Sequence, residues 1–159
     1  MPAIPLYRTA IAADWVDYNG HVRDAYYWLI ISLAADALMD RLGLDHPYRE
    51  RTHCTLYTVE AHIHYLREVK RTDTVEVFVR ILDADAKRIH AGFELRCEGK
   101  SEAAAVAELM LLHVRQGEAV AAAPFPAAAL EAIARLRELS AAAPAAGPAS
   151  RRLSLRPRD

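Results

Sequence analysis

The sequence predicts an α+β fold in which one long buried helix is wrapped by an antiparallel β-sheet, with a second helix towards the C-terminus. Three observations carry this. A long apolar stretch with helical spacing follows a first strand-like segment. About four segments rich in period-two alternation then come in a row. A second helical pattern follows them. One helix packed on one face of a curled sheet is the economical way to bury these apolar faces together.

The first strand is expected over Leu6 to Val16, ending near Trp15. In the helix, Tyr26, Ile30, Leu33, Ala34, Ala37, Leu38 and Leu42 recur at three- and four-residue steps. Gly43 is a natural stop. The segment is apolar on more than one face, so it is expected to be mostly buried.

In "TLYTVEAHIHYL", Tyr57, Val59, Ala61, Ile63 and Tyr65 alternate with Glu60, His62 and His64. "DTVEVFVRIL" places Val75, Val77, Val79 and Ile81 on one side. "RIHAGFELRC" does the same with Ile89, Ala91, Phe93, Leu95 and Cys97, after the turn "DADAK". "AAVAELMLLHV" suits strand or helix by composition, and its place after the short turn "EGKS" favours a hairpin partner. From Pro124 a helix is expected with Leu130, Ile133, Leu136 and Leu139 as its apolar stripe.

Residues 1–140 are expected to form one domain, a size that supports a single core. Residues 141–159 are Ala/Pro-rich and end basic, which predicts a disordered tail. A net charge of −1 offers no basic face for nucleic acid. Cys54 and Cys97 make no disulfide framework, and the N-terminus shows no signal peptide, so a cytoplasmic setting is expected. The longest apolar stretch is broken by Asp36 and is too short to span a membrane. A single wrapped sheet leaves an edge to cover, which points to a homodimer or homotetramer.

The stretch "DYNGHVRD", residues 17–24, crowds short polar groups in front of the apolar helix. Asp and Asn there suit an ordinary helix start. They also suit a reaction site, and the residues alone leave both open.

The order of a strand, Asp-x-Asn-Gly-His-Val, a long buried helix and four strands resembles the hotdog-fold thioesterases. "DYNGHV" is similar to the Asp-x-Asn-x-His-Val signature of acyl-ACP thioesterases and their bacterial relatives. "YLREVKRTDTVEV" resembles a second stretch of that group, where Tyr-x-Arg-Glu precedes a short turn and an Asp. The resemblance runs from about residue 6 to about residue 115. More narrowly, "DYNGHVRDAYY", "YTVEAHIHYLREV" and "LDADAKRIH" resemble the betainyl-CoA thioesterases of bacterial carnitine breakdown. The plant-type signature continues with two asparagines where this chain has Arg23 and Asp24, which weighs against acyl-carrier-protein specificity.

The resemblance implies hydrolysis of a small acyl-CoA thioester; no cofactor and no metal are expected. An acyl-ACP thioesterase and a non-catalytic acyl-CoA-binding module are the alternatives. It implies Asp17 as base or nucleophile, Asn19 as orienter and His21 as polariser or proton relay. Glu68, from the Tyr-x-Arg-Glu stretch, is a second candidate base. The thioester carbonyl is expected against backbone amides around Gly20 to Val22, at the head of the helix, with Gly20 letting backbone approach the ligand. Direct attack by water and an anhydride intermediate both remain open.

Trp15, Tyr18, Tyr26, Tyr27, Trp28 and Tyr57 lie near the motif or on the following strand. Aromatic faces attract quaternary ammonium groups. Trp15, Tyr26 and Tyr57 are therefore candidate substrate contacts, although core packing accounts for most such rings. Glu60 is a further candidate contact. Glu60, His62 and His64 also form a row that can ligate metal, but no supporting pair sits at a suitable spacing. Arg67, Lys70, Arg71, Lys87 and Arg88 are the basic residues available for CoA phosphates.

Overall fold

The computed structural model describes residues 4–141. Strand β1 (Ile4–Ala10) and a 3-10 turn (Ala13–Trp15) lead to the central helix α1 (Asp24–Arg41). A short helix α2 (His46–Thr52) precedes β2 (Cys54–Tyr65), β3 (Thr74–Ala84), β4 (Arg88–Cys97) and β5 (Ala103–Arg115). A two-residue strand β6 (Ala121–Ala122) and helix α3 (Ala127–Ala141) follow. The sheet order is β1-β3-β4-β5-β2, with β6 on β5, and every pairing is antiparallel. This is the α+β hotdog arrangement that the motifs imply.

The period-two patterns in β3 and β4 fall as expected. Val75, Val77, Val79, Ile81, Ile89, Ala91, Phe93, Leu95 and Cys97 are all buried. β5 is a strand, and Ala105, Ala107, Leu109 and Leu111 complete the inner face. Against this face α1 buries Tyr27, Ile30, Ile31, Ala34, Ala35 and Leu38. Its opposite stripe, Ala25, Leu29, Ser32, Asp36 and Asp40, is exposed within the single chain. The helix is therefore two-faced rather than enclosed. It ends as Gly43 predicts: Gly43 takes φ 72°, its amide donates to Asp40 O, and the Leu44 amide donates to Met39 O.

Three further expectations need correction. β1 stops at Ala10, short of Trp15, because its partner runs out. Ala10 pairs with Thr74, and the Ile11 amide donates to Asp73 O before the chain turns away. The single alternation read along β2 breaks at a bulge between Thr58 and Glu60. The extra residue reverses parity, so Leu56 and Ile63 both pack on the core while Tyr57 shares the outer face with Glu60, His62 and His64. Helix α2, an element beyond those expected, starts at His46 after the N-cap Asp45, whose side chain accepts from the Tyr48 amide at 2.9 Å.

Finally, α3 is rotated relative to its expected stripe. Ala129, Ile133, Leu136 and Ser140 are buried, while Leu130 and Leu139 are exposed. β1 covers β3 only as far as Val79. α3 packs on β3 beyond that point, where Ser140 Oγ accepts from the Ile81 amide at 3.3 Å and Arg137 meets Asp83 at 3.0 Å. The helix thus protects an otherwise open strand edge. The expected tail over 141–159 lies outside the described residues beyond Ala141.

Candidate active site

Residues 16–22 form a tight loop in front of α1, closed by a bridge between Val16 and Val22. Asp17 organises it. Its Oδ1 accepts from the Asn19 amide at 2.8 Å and the His21 amide at 3.1 Å. Its backbone amide donates to His21 O, and its carbonyl accepts from the Gly20 amide. Gly20 has φ 78°, so this turn requires glycine for its backbone conformation. The bond from the His21 amide is the main cause holding the Asp17 carboxyl below its usual value, with the Asn19 amide adding to it against partial desolvation. Asp17 is thereby kept ionised.

A second segment is stitched to this loop. The Val22 amide donates to Val69 O at 2.8 Å, the Arg71 amide donates to Gly20 O at 3.0 Å, and His21 bridges to Lys70. Asp73 closes the turn behind it by accepting from the Lys70 amide at 2.8 Å. This pairing sets Glu68 beside His21, with Oε2 at 3.3 Å from Nε2. The buried Tyr27 fixes the segment from below. Its hydroxyl accepts from the Val69 amide at 3.0 Å and donates to Arg67 O at 3.2 Å. An open groove results, lined among others by Asp24, Tyr27, Tyr65, Arg67 and Glu68.

The structure therefore brings Asp17, His21 and Glu68 to one place. Asn19 is in the same loop, and its exposed side chain makes no hydrogen bond among the described residues. The amides expected to hold the carbonyl are occupied: Gly20 N by Asp17 O, His21 N by Asp17 Oδ1, and Val22 N by Val69 O. The reason is that α1 begins only at Asp24, so residues 20–22 belong to the loop and not to the helix. Neither Asp17 nor Asn19 caps α1; the N-cap is Arg23, without a side-chain cap bond. Around the first turn, Arg23 N donates to Trp15 O, Ala25 N to Asp24 Oδ1 and Tyr26 N to Arg23 O. Of the amides from Gly20 to Tyr26, that of Asp24 has no hydrogen-bond acceptor among the described residues.

Trp15 and Tyr26 stack on each other at 5.7 Å and 17°, partly buried against the core. Tyr57 lies roughly 25 Å along β2 from Tyr65, at about 3.3 Å per residue, and its hydroxyl accepts from Gln116 Nε2. Glu60 faces away from α1 and meets His62 at 3.2 Å. Within one chain, Tyr57 and Glu60 are not at the groove. Among the described residues no group of three or more His, Cys, Asp or Glu is placed to hold a metal ion. Tyr65 and Asp24 were not singled out from sequence, although Tyr65 is the tyrosine of the quoted Tyr-x-Arg-Glu stretch.

This fold, with an acid-bearing loop at the head of the central helix, is that of a thioesterase. The model of the thioesterase-like superfamily matches residues 11–133, and the chain belongs to that family. It is 42% identical over 138 residues to the betainyl-CoA thioesterase of Pseudomonas aeruginosa, covering 87% of this chain and 86% of the relative. It is 36% identical over 132 residues to the L-carnitine dehydrogenase/betainyl-CoA thioesterase of Rhizobium meliloti, covering 83% of this chain and 26% of that longer protein. A crystal structure from Pseudomonas putida KT2440 matches with a TM-score of 0.85 at 42% identity, over 99% of both chains.

Proposed function

We propose that the protein hydrolyses a small acyl-CoA thioester, betainyl-CoA, to the free acid and CoA. The observation that carries this reading is the meeting of His21 and Glu68 beside the ionised Asp17 loop, in a chain so similar to betainyl-CoA thioesterases. Asp17 takes a proton from water as the water oxygen attacks the thioester carbonyl. The Asp24 amide meets the developing oxyanion. The C–S bond then breaks, and the His21–Glu68 pair delivers a proton to the departing thiolate. Direct attack by the Asp17 carboxylate would use the same groups and pass through an anhydride.

The deciding experiment is hydrolysis of betainyl-CoA by the full chain, followed by release of the free thiol. Absence of turnover above the uncatalysed rate would refute the reading. Single turnover in ¹⁸O-water reveals the anhydride route when water opens the anhydride at Asp17 Cγ, because the acid then carries an unlabelled oxygen from Asp17 and the label stays on the Asp17 carboxylate.

The same reading places the protein in carnitine breakdown and in the cytoplasm, where buried, unpaired Cys54 and Cys97 suit a reducing medium. No helix among the described residues is long and apolar enough to cross a membrane. It also makes the protein a homodimer joined through β2. That strand is a sheet edge twelve residues long, with Tyr57 and Val59 exposed at its middle. Such an edge invites pairing with a second copy. Val59→Lys should shift the species seen by light scattering from dimer to monomer.

A further inference from the structure

We propose that Tyr65, together with the Asp24 carboxylate, forms the subsite that reads a quaternary ammonium group on the acyl chain, with Tyr65 as the specificity-determining residue. The inference rests on the thioesterase reading above and names the part of the groove that selects the substrate.

Tyr65 stands at the end of β2 on the face that meets α1, yet it is 48% exposed. Its ring lines the groove beside Glu68. Two contacts fix its orientation. The hydroxyl donates to Asp24 O at 3.4 Å, and the ring meets Tyr27 at 5.4 Å, nearly perpendicular. Tyr27 is itself pinned by both its hydroxyl bonds. The ring is thus half open and pre-oriented, which a purely packing tyrosine need not be. A cation over such a face is attracted by the ring quadrupole.

The charges around the ring favour a cation as well. Asp24 and Glu68 both line the groove. Arg67 lines it too, but its guanidinium is engaged by Glu102 at 2.8 Å. Glu68 is itself met by His21, so the Asp24 carboxylate is the acid that a cationic acyl group complements. Distance agrees. In a betainyl thioester one methylene separates the ammonium from the carbonyl carbon. The group that reads the cation must therefore sit beside the reacting atoms, and Tyr65 lines the same groove as Glu68, which meets His21. Trp15 and Tyr26 each give one face to the other and pack against the core, and Tyr57 lies far along the strand.

The test compares kcat/KM for betainyl-CoA with that for its neutral isostere, 3,3-dimethylbutanoyl-CoA, using the full chain. Wild type should favour the cation. Tyr65→Phe keeps a ring and should keep the preference. Tyr65→Leu should lower the ratio by about tenfold, which corresponds to about 1.4 kcal/mol. Asp24→Asn should lower it in the same direction. Because each ratio is internal to one variant, loss of folded protein cancels. An unchanged ratio in Tyr65→Leu would make the ring a packing group and overturn the subsite, while the thioesterase reading stands. A wild type that hydrolyses neither thioester overturns both.

Discussion

The hydroxyl of Tyr27 accepts the buried Val69 amide at 3.0 Å, joining the first turns of α1 to the segment that carries Glu68. The same oxygen donates to Arg67 O, so Glu68 is bracketed on both sides by one side chain. Burial raises the Tyr27 pKa, which keeps the hydroxyl protonated and able to donate.

Tyr27→Phe removes both bonds and leaves a buried amide without its acceptor. The expected loss is about 1–3 kcal/mol of stability, read by urea denaturation. kcat should fall as well, since Glu68 is no longer held against His21. A variant with unchanged stability and kcat would show that the backbone bonds at Val22 and Arg71 suffice.

Asp17→Asn should remove most hydrolysis while the protein stays folded. An amide oxygen at Oδ1 can still accept from Asn19 and His21, but it cannot serve as base or nucleophile. The check is kcat alongside a thermal melt. Near-normal turnover in a well-folded variant would remove Asp17 from the reaction, and loss of fold would make it a loop brace alone.

Glu68→Gln separates catalysis from stability more sharply. Glu68 is 71% exposed on its side chain, so its pairing with His21 at 3.3 Å contributes at most about 1 kcal/mol to folding. The melting temperature should hardly move, whereas kcat should drop. Unaltered kcat would reduce Glu68 to a solvated strand end.

The β3–β4 turn offers a test by pH. Asp85 accepts from the Lys87 and Arg88 amides and binds the Arg88 guanidinium at 2.6 Å. The Arg88 side chain is the main cause lowering the Asp85 carboxyl from 3.8 to about 2. A carboxyl lowered on folding stabilises the fold above its unfolded value, and that contribution disappears as pH falls through the folded value. Order at this turn should therefore persist to below pH 3.8 and be lost near pH 2. NMR titration of the Asp85 carboxyl, with amide exchange at Arg88, reads this directly. A midpoint near 3.8 would contradict it.

Much of the fold was legible in the residues themselves. Alternation in β3 and β4 sorts core from surface, because a strand's side chains leave opposite faces in turn. The apolar spacing of α1 and its Gly43 stop are local properties of the chain. The polar motif at residues 17–24 was legible too, but its folding into a loop ahead of α1, braced by Asp17, was not. Other features depended on partners distant in the chain. A bulge opposite β5 turned Tyr57 and Glu60 to the outer face, and nothing in "LYTVEAH" alone marks that extra residue. The open end of β3 decided which stripe of α3 is buried. With α1 starting only at Asp24, the amides of Gly20 to Val22 fell to the loop and to its pairing with the 65–71 segment. Glu68 met His21, and Tyr65 met Asp24, only because the sheet returns the 65–71 segment to the head of α1. Sequence by itself determined which segments bury a face and which residues carry reactive groups, because those follow from local periodicity and side-chain chemistry. Tertiary structure alone decided which reactive groups meet, because register, bulges and helix rotation are settled by packing between segments far apart in the chain.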